Sequence, residues 1–262
     1  MHSKITHSVP YPADGHIHIG TSGWHYGHWR GPFYPAGLKA DSMLRWYIQH
    51  FDTVEINNSF YRLPTSAAIA GWCRETPPDF CFAVKASRYI THNRKLKDPT
   101  ETIKRFMLQV TELGARLGPI LFQLPPAWQA NVGRLEEFLQ ALPAGRRYAF
   151  EFRNPTWNIR PVYDALRKHN AGYCVFELAG FHSPVHVTAD FAYVRLHGPG
   201  HAYQGDYSRS ELEEWARRIE RWRKELKHIF VYFDNDQAGY AAKNALELKR
   251  LLGSAGAPAR VA

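Results

Sequence analysis

Eight short runs of β-branched and aromatic residues alternate with stretches of helical periodicity, and this alternation constrains the fold more than any other feature. The runs are His16–Ser22, Thr53–Asn57, Phe80–Ala86, Ile120–Leu124, Tyr148–Arg153, Tyr173–Leu178, Ala192–His197 and Ile229–Asn235. Between them, apolar residues recur at three- and four-residue spacing. Ile103, Phe106, Val110, Leu113 and Leu117 form one stripe; Leu212, Trp215, Ile219, Trp222 and Leu226 form another; Ala241, Ala245, Leu248 and Leu252 form a third. Asp98-Pro99-Thr100-Glu101 reads as a helix start, Ser208-Arg209-Ser210-Glu211 as a capping box, and Gly253 as a stop. Ala179–Asp190 shows no helical stripe, so a loop or single turn is expected there. Eight strands in 262 residues favour one (β/α)₈ barrel over an open doubly wound sheet, with the sixth helix short or absent. The barrel is expected over residues 16–253, between flexible segments 1–15 and 254–262.

Alternate residues of a barrel strand point inward. Val54 and Ile56 suit the helix-facing side, which turns Glu55 and Asn57 in. The same parity sends Lys85, Gln123, Glu151, Arg153, Arg195, His197 and Asp234 inward, close to the C-terminal ends of their strands. Barrel enzymes assemble their active sites at those ends. Buried charges are costly unless they pair or meet ligand and water. Glu55 with Lys85, and Glu151 with Arg153 or Arg195, are the expected pairs. Internal salt bridges that fix register would give the same pattern as a site with acid/base carboxylates and cationic anchors.

Lys plus Arg exceeds Asp plus Glu by 33 to 24, a net charge of +9. That balance suits a small anionic ligand or nucleic acid, and equally a solvated basic surface. Arg217, Arg218, Arg221 and Lys224 lie off their helix's apolar stripe, with glutamates interspersed, and read as a solvated face. The three cysteines, Cys73, Cys81 and Cys174, lack metal-site spacing; Cys81 and Cys174 read as small buried hydrophobes. Met1–Gly15 holds no apolar run, so neither a signal peptide nor a membrane association is expected, and a cytoplasmic setting is the default. His16 and His18 have the spacing of a strand metal pair but lie at the wrong end of the barrel. Glu55, Glu151, His197 and Asp234 could surround a divalent ion, although Lys85, Arg153 and Arg195 would repel it. No cofactor is predicted. Gly198-Pro199-Gly200 and Gln237–Gly239 could cradle a phosphate or be plain turns.

Several motifs also resemble a known family. Ile19-Gly20-Thr21-Ser22-Gly23-Trp24, Gly31-Pro32-Phe33-Tyr34-Pro35, Thr53-Val54-Glu55-Ile56-Asn57, Phe60-Tyr61-Arg62-Leu63-Pro64 and Phe82-Ala83-Val84-Lys85-Ala86-Ser87 with Thr91-His92 are similar to the domain-of-unknown-function family 72, also called YecE-like. So are Leu121-Phe122-Gln123-Leu124-Pro125-Pro126, Glu151-Phe152-Arg153 with Trp157, Tyr193-Val194-Arg195-Leu196-His197-Gly198 and Tyr232-Phe233-Asp234-Asn235-Asp236. The resemblance implies a TIM barrel and transfers no reaction. The family pattern carries two asparagines at the end of the last strand, and here the first is Asp234. The motif map places Trp24, Tyr61, His92, Trp157, Tyr203 and Tyr207 as aromatic walls over the charged floor.

The expectation is an enzyme, a hydrolase or lyase, using acid/base chemistry on a small phosphorylated or carbohydrate-like anion. Glu55, Lys85, Glu151, His197 and Asp234 are the candidate catalytic residues. Trp24, Tyr61, His92, Gln123, Arg153, Trp157, Arg195 and Asn235 are the candidate substrate contacts. A nucleic-acid-binding protein and a metal-assisted phosphoester hydrolase are the alternatives. Protein partners are not legible.

Overall fold

The strands found are β1 (His16–Thr21), β2 (Thr53–Ile56), β3 (Cys81–Lys85), β4 (Leu117–Leu124), β5 (Tyr148–Phe152), β6 (Gly172–Leu178), β7 (Phe181–His182), β8 (Phe191–Leu196) and β9 (His228–Phe233). The structure is a computed structural model, and it describes residues 15–254. The flexible segments expected at either end therefore lie almost wholly outside the described residues. Gly15 is described, and its N–H donates to the carbonyl of Arg223 at 2.9 Å.

All strands but β7 pair in parallel, in the order β1-β9-β8-β6-β5-β4-β3-β2. Helices α1 (Met43–Tyr47), α2 (Ser66–Glu75), α3 (Pro99–Val110), α4 (Val132–Ala141), α5 (Arg160–Lys168), α6 (Arg209–Arg223) and α7 (Tyr240–Ser254) cover the outside. This is an α/β barrel with one crossover helix missing, between β6 and β8. A hairpin takes its place: β7 folds back antiparallel on β6, pairing Leu178 with Phe181. Both loop residues are left-handed, Ala179 at φ 51° and Gly180 at φ 76°, as a two-residue hairpin turn requires. The loop expected at Ala179–Asp190 thus contains a short strand, hidden because Ala-Gly is a weak turn signature.

Three further expectations need correction. Leu117 belongs to β4 and not to the helical stripe before it. Gly114, at φ 60° and ψ −128°, breaks the helix in a conformation only glycine adopts readily. Asp98 precedes α3 but does not cap it. Its own backbone is left-handed, and its carboxylate turns to pair with Arg94. Gly253 does not stop the last helix: it is not among the left-handed glycines, and α7 runs through it to Ser254. The capping box at Ser208 and Glu211 forms as read.

The parity argument describes the core well. Val54, Ile56, Phe82, Val84, Phe150, Phe152, Val194, Leu196 and Phe233 pack between sheet and helices. Ala83, Leu121, Ala149, Cys174, Phe176, Phe191, Tyr193, Phe230 and Tyr232 fill the interior. Cys174 is buried there, whereas Cys81 is only half-buried at the edge of β3.

Closure between β1 and β2 depends on one hydroxyl. These strands share a single bridge, Ser22 with Glu55. Below it, Tyr47 of α1 inserts its hydroxyl, which accepts from the Thr21 N–H and donates to the Thr53 carbonyl, both at 3.0 Å. A Tyr47→Phe substitution strands both backbone groups in a buried gap. We expect a loss of about 1–3 kcal/mol in urea denaturation.

The N-terminal end of the barrel is plugged by stacked histidines. His18 stacks on Phe230 at 4.7 Å and on His228 at 5.6 Å, and His16 stacks on His228 at 5.7 Å. Burial holds both His18 and His228 down to about 4, aided for His228 by Arg147. The folded state therefore resists protons that the unfolded chain accepts near pH 6.5, so this plug costs stability as the pH falls from about 6.5 to about 4. His18→Phe should flatten the pH dependence of the melting temperature across that window and leave it unchanged at pH 8.

Candidate functional site

Each barrel strand enters its C-terminal end with an inward residue, and there the interior changes from aromatic to ionic. Tyr193 and Arg195 are successive inward residues of β8, so the charged layer rests directly on a tyrosine layer. The centre of that layer is Arg195, whose side chain is 0% exposed. Its guanidinium donates through Nε to Glu55 at 3.1 Å and through Nη2 to the same carboxylate at 2.8 Å. Nη2 also reaches Asp234 at 2.9 Å, and Nη1 reaches Glu151 at 3.0 Å and His197 Nε2 at 3.2 Å. All five N–H groups are thereby used.

Carboxylates from three strands are locked by the same geometry. Glu55 accepts from Ser22 Oγ at 2.5 Å and from the Tyr193 hydroxyl at 2.6 Å. Glu151 accepts from Arg153 Nε as well as Arg195. The two guanidinium groups hold its carboxyl well below the usual range against the opposing effect of burial. Asp234 is lowered against the same penalty, chiefly by Arg195 and then by His197, whose Nδ1 lies 3.0 Å away. His197 Nε2 faces Arg153 and Arg195, both at 3.2 Å, so it is an acceptor and the ring proton belongs on Nδ1.

The expected pairing of Glu55 with Lys85 does not occur. Parity gives the face of a strand but not the reach of a side chain, and Arg195 takes the Glu55 carboxylate. Lys85, 8% exposed, directs Nζ over the Phe60 ring at 4.4 Å. Among the described residues no carboxylate forms an ion pair with it. Burial, reinforced by Arg195, lowers it to about 8 despite the nearby acids. Glu151 pairs with both arginines offered for it. Arg195's guanidinium fills the space between Glu55, Glu151 and Asp234 where a cation would sit. Among the described residues, no three His, Cys, Asp or Glu side chains are arranged to hold a metal ion.

The aromatic walls need the larger correction. Trp157 is 0% exposed, stacked on Phe152 at 4.9 Å with its indole N–H donating to the Trp128 carbonyl. Trp24 turns outward against Trp72 of α2 at 5.3 Å, lining a cleft of about 520 Å³ with Asn57 and Asn58. Tyr207 is buried, and its hydroxyl accepts from the Gly198 N–H at 3.2 Å. Tyr61, 72% exposed, lies over a groove between the β2 loop and α2. Only His92 and Tyr203 flank the charged floor. His92 meets Phe60 edge-on at 4.9 Å, and Tyr203 meets His197 edge-on at 5.3 Å. Asn235 is buried and donates to Gly205 O and Asn244 Oδ1, both at 2.8 Å, which fastens the loop after β8.

In each of the two possible phosphate cradles one glycine amide is already engaged. The Gly198 N–H is held by Tyr207, and the Gly239 N–H donates to the Asp236 carbonyl at 3.2 Å. The mouth instead offers side chains. Arg153 spends Nε on Glu151 and Nη2 on His197, leaving Nη1 without an acceptor among the described residues. Gln123, level with Glu151 across β4 and β5, is half-buried, and its side chain makes no hydrogen bond among the described residues. Ser22, Phe60 and Tyr193 were missed as site residues. Tyr193 was accessible to the parity argument, being two residues before Arg195.

The loop after β3 carries strain beside this mouth. Tyr89–Asn93 forms a π-turn, and Lys95, Leu96 and Asp98 are left-handed at φ 47°, 62° and 47°. Non-glycine residues in that region cost about 1–3 kcal/mol each and persist at functional sites. Other cavities exist, including one of about 660 Å³ at the N-terminal end beside Arg146 and Arg147. None of the ion network reaches it. Exposed basic residues of α6 are partly paired, Arg209 with Glu213 and Arg218 with Glu214.

Replacing Arg195 by Met leaves buried carboxylates without their cation. We expect about 3–5 kcal/mol of destabilisation in urea at pH 8. The penalty should shrink toward pH 5, because Glu151 and Asp234 then regain protons once their depressing partner is gone.

Comparison with known proteins places the fold and the motif map together. Residues 18–261 match the family described as "Protein of unknown function DUF72". The UPF0759 protein YunF of Bacillus subtilis (strain 168) is 27% identical over 273 residues, covering 90% of this chain and 94% of that protein. The UPF0759 protein YecE of Escherichia coli (strain K12) is 25% identical, covering 79% of this chain and 82% of that protein. The crystal structure of a DUF72 family protein from Thermotoga maritima MSB8 superimposes with a TM-score of 0.84 at 31% identity, covering 91% of this chain and 99% of that one. No helix among the described residues is long and apolar enough to cross a membrane. The chain, a nearly closed parallel barrel with an ion network at its C-terminal end, belongs to the DUF72 family.

Proposed function

We propose that the protein is an enzyme that binds a small anion at the C-terminal mouth of the barrel and acts on it by acid/base chemistry. One observation carries this reading. Beside a floor whose charges are mutually satisfied, two cationic side chains at the C-terminal end of the barrel, Lys85 and Arg153, keep hydrogen-bonding capacity unused among the described residues. A phosphoryl or carboxylate group would meet Arg153 Nη1 by charge-assisted hydrogen bonds, with Gln123 and His92 at its sides.

The roles divide by environment. Glu55, Glu151 and Asp234 hold Arg195 and are held by it, and His197 links Asp234 to Arg153. Lys85, lowered to about 8, exchanges protons close to neutral pH and is the acid/base group. The proton-transfer role expected of Glu55 or Glu151 passes to it, because both carboxylates are fully buried and ion-paired. A substrate of the phosphorylated or carbohydrate-like class, processed by hydrolysis or elimination, suits this chemistry.

Inorganic phosphate tests the anion site directly. It should raise the melting temperature of the wild-type chain at pH 7. Arg153→Ala should weaken phosphate binding by about tenfold, or about 1.4 kcal/mol. Wild-type affinity should fall between pH 7 and 9 as Lys85 loses its proton at about 8. Unchanged phosphate affinity in Arg153→Ala would sink the reading.

A further inference from the structure

We propose that Lys85 is a nucleophile that forms an imine with the carbonyl carbon of a small anionic aldehyde or ketone held by Arg153. This rests on the mouth being the anion site described above, and it adds the substrate class and the bond that forms.

Three features of the surroundings carry it. Nζ is neither tied to a carboxylate nor free in water: it stands on the Phe60 ring at 4.4 Å, at the end of a side chain only 8% exposed. Such an amine is poised to lose its proton, and burial sets the point at about 8. The backbone beneath it is fixed, since Ser59 Oγ donates to the Lys85 carbonyl at 2.5 Å and to the Ile56 carbonyl at 2.9 Å. The floor is also suited to the product. Glu55, Glu151 and Asp234 lie close enough to favour positive charge on Nζ. They remain committed to Arg195, so none of them clamps the amine in its protonated form.

The step balances without a further reagent. Neutral Nζ attacks the carbonyl carbon; the C–N bond forms as the C–O π bond breaks; the oxygen takes up protons and departs as water. Overall, ammonium and carbonyl become iminium and water. One positive charge stands at Nζ before and after, so the ion network need not reorganise. His92 is the proposed proton carrier. Its Nδ1 contacts Thr91 Oγ1 at 2.9 Å, and its ring abuts Phe60. Burial, with Lys85 next, lowers its affinity for a proton and keeps the ring available as an acceptor.

Reductive trapping on the full chain decides the matter. Glyoxylate and dihydroxyacetone phosphate, each with sodium cyanoborohydride at pH 7.5, are followed by peptide mass mapping over short times. The expected result is labelling of Lys85 about tenfold faster than the median of the other lysines, with at least one probe. Inorganic phosphate should slow Lys85 alone, Arg153→Ala should slow Lys85 alone, and Lys85→Met should lose that single adduct. Labelling of Lys85 no faster than the surface lysines with both probes overturns the imine. If phosphate still stabilises the protein through Arg153, the acid/base reading survives that result; if it does not, both fall.

Discussion

Taking a guanidinium out of water costs several kcal/mol even after the protein relaxes around it, and Arg195 is withdrawn completely. Its cost is met by carboxylates from β2, β5 and the end of β9, so the barrel must bring three distant strands to one height. The pairing Gln123 with Glu151 across β4 and β5, and Arg195 with Tyr232 across β8 and β9, defines that height. A slip of one residue would turn Arg195 out among the helices and bring Val194 or Leu196 inward. The ion network therefore specifies register as well as charge. Structural salt bridges and the proposed site, separate explanations at the level of sequence, are compatible here. The carboxylates lock the floor, and in doing so they leave Lys85 and part of Arg153 uncommitted above it.

What lies beneath that floor matters to its electrostatics. The Tyr193 and Tyr232 rings meet at a tilt, 5.4 Å apart, in the barrel interior, and Tyr193 donates its hydroxyl to Glu55. Thr53 Oγ1 meets the Tyr232 hydroxyl at 2.7 Å. The Tyr193 hydroxyl reaches the charged layer and the Tyr232 hydroxyl reaches Thr53, while both rings pack in the buried interior. In such a medium an unpaired ammonium is penalised more than a paired one. Lys85 is perturbed and Arg195 is not released, although both are buried among the same acids. The difference is contact: Arg195 touches the carboxylates, and Lys85 touches an aromatic face.

Periodicity made the barrel, its inward faces and most of the floor legible. Glu55, Lys85, Glu151, Arg195 and Asp234 all follow from a period of two applied to runs such as Thr53–Asn57 and Ala192–His197. The same rule is silent on height and reach, so it mated Glu55 with Lys85 when the longer, five-donor Arg195 was the better partner. It is silent too on loops. Trp24 and Trp157 sit just beyond strand ends, and sequence position alone set them over the mouth. The chain turns Trp24 toward α2 and buries Trp157 beneath Trp128. Leu117 failed for another reason: an apolar stripe can continue in register across a break that only Gly114 reveals. Family membership agrees with the architecture, and it leaves the chemistry to the geometry of the mouth.

Asp234 shows how finely that geometry is balanced. Its Oδ2 accepts from Arg195 at 2.9 Å and lies 3.0 Å from His197 Nδ1. An asparagine there could still accept through its amide oxygen, but it would bring no charge. With Asp234 ionised, three carboxylates face three cations, Arg195, Arg153 and Lys85. Its negative charge supports the protonated form of Lys85 against the repulsion of Arg195. A neutral amide would leave the cations in excess and drive Lys85 further toward the free amine. It would also make the mouth a stronger attractor of anions. Position 234 thus opposes two properties, amine basicity and net positive potential, without touching the substrate. In this chain burial and Arg195 set the amine at about 8, and the aspartate, with Glu151 and Glu55, partly offsets both.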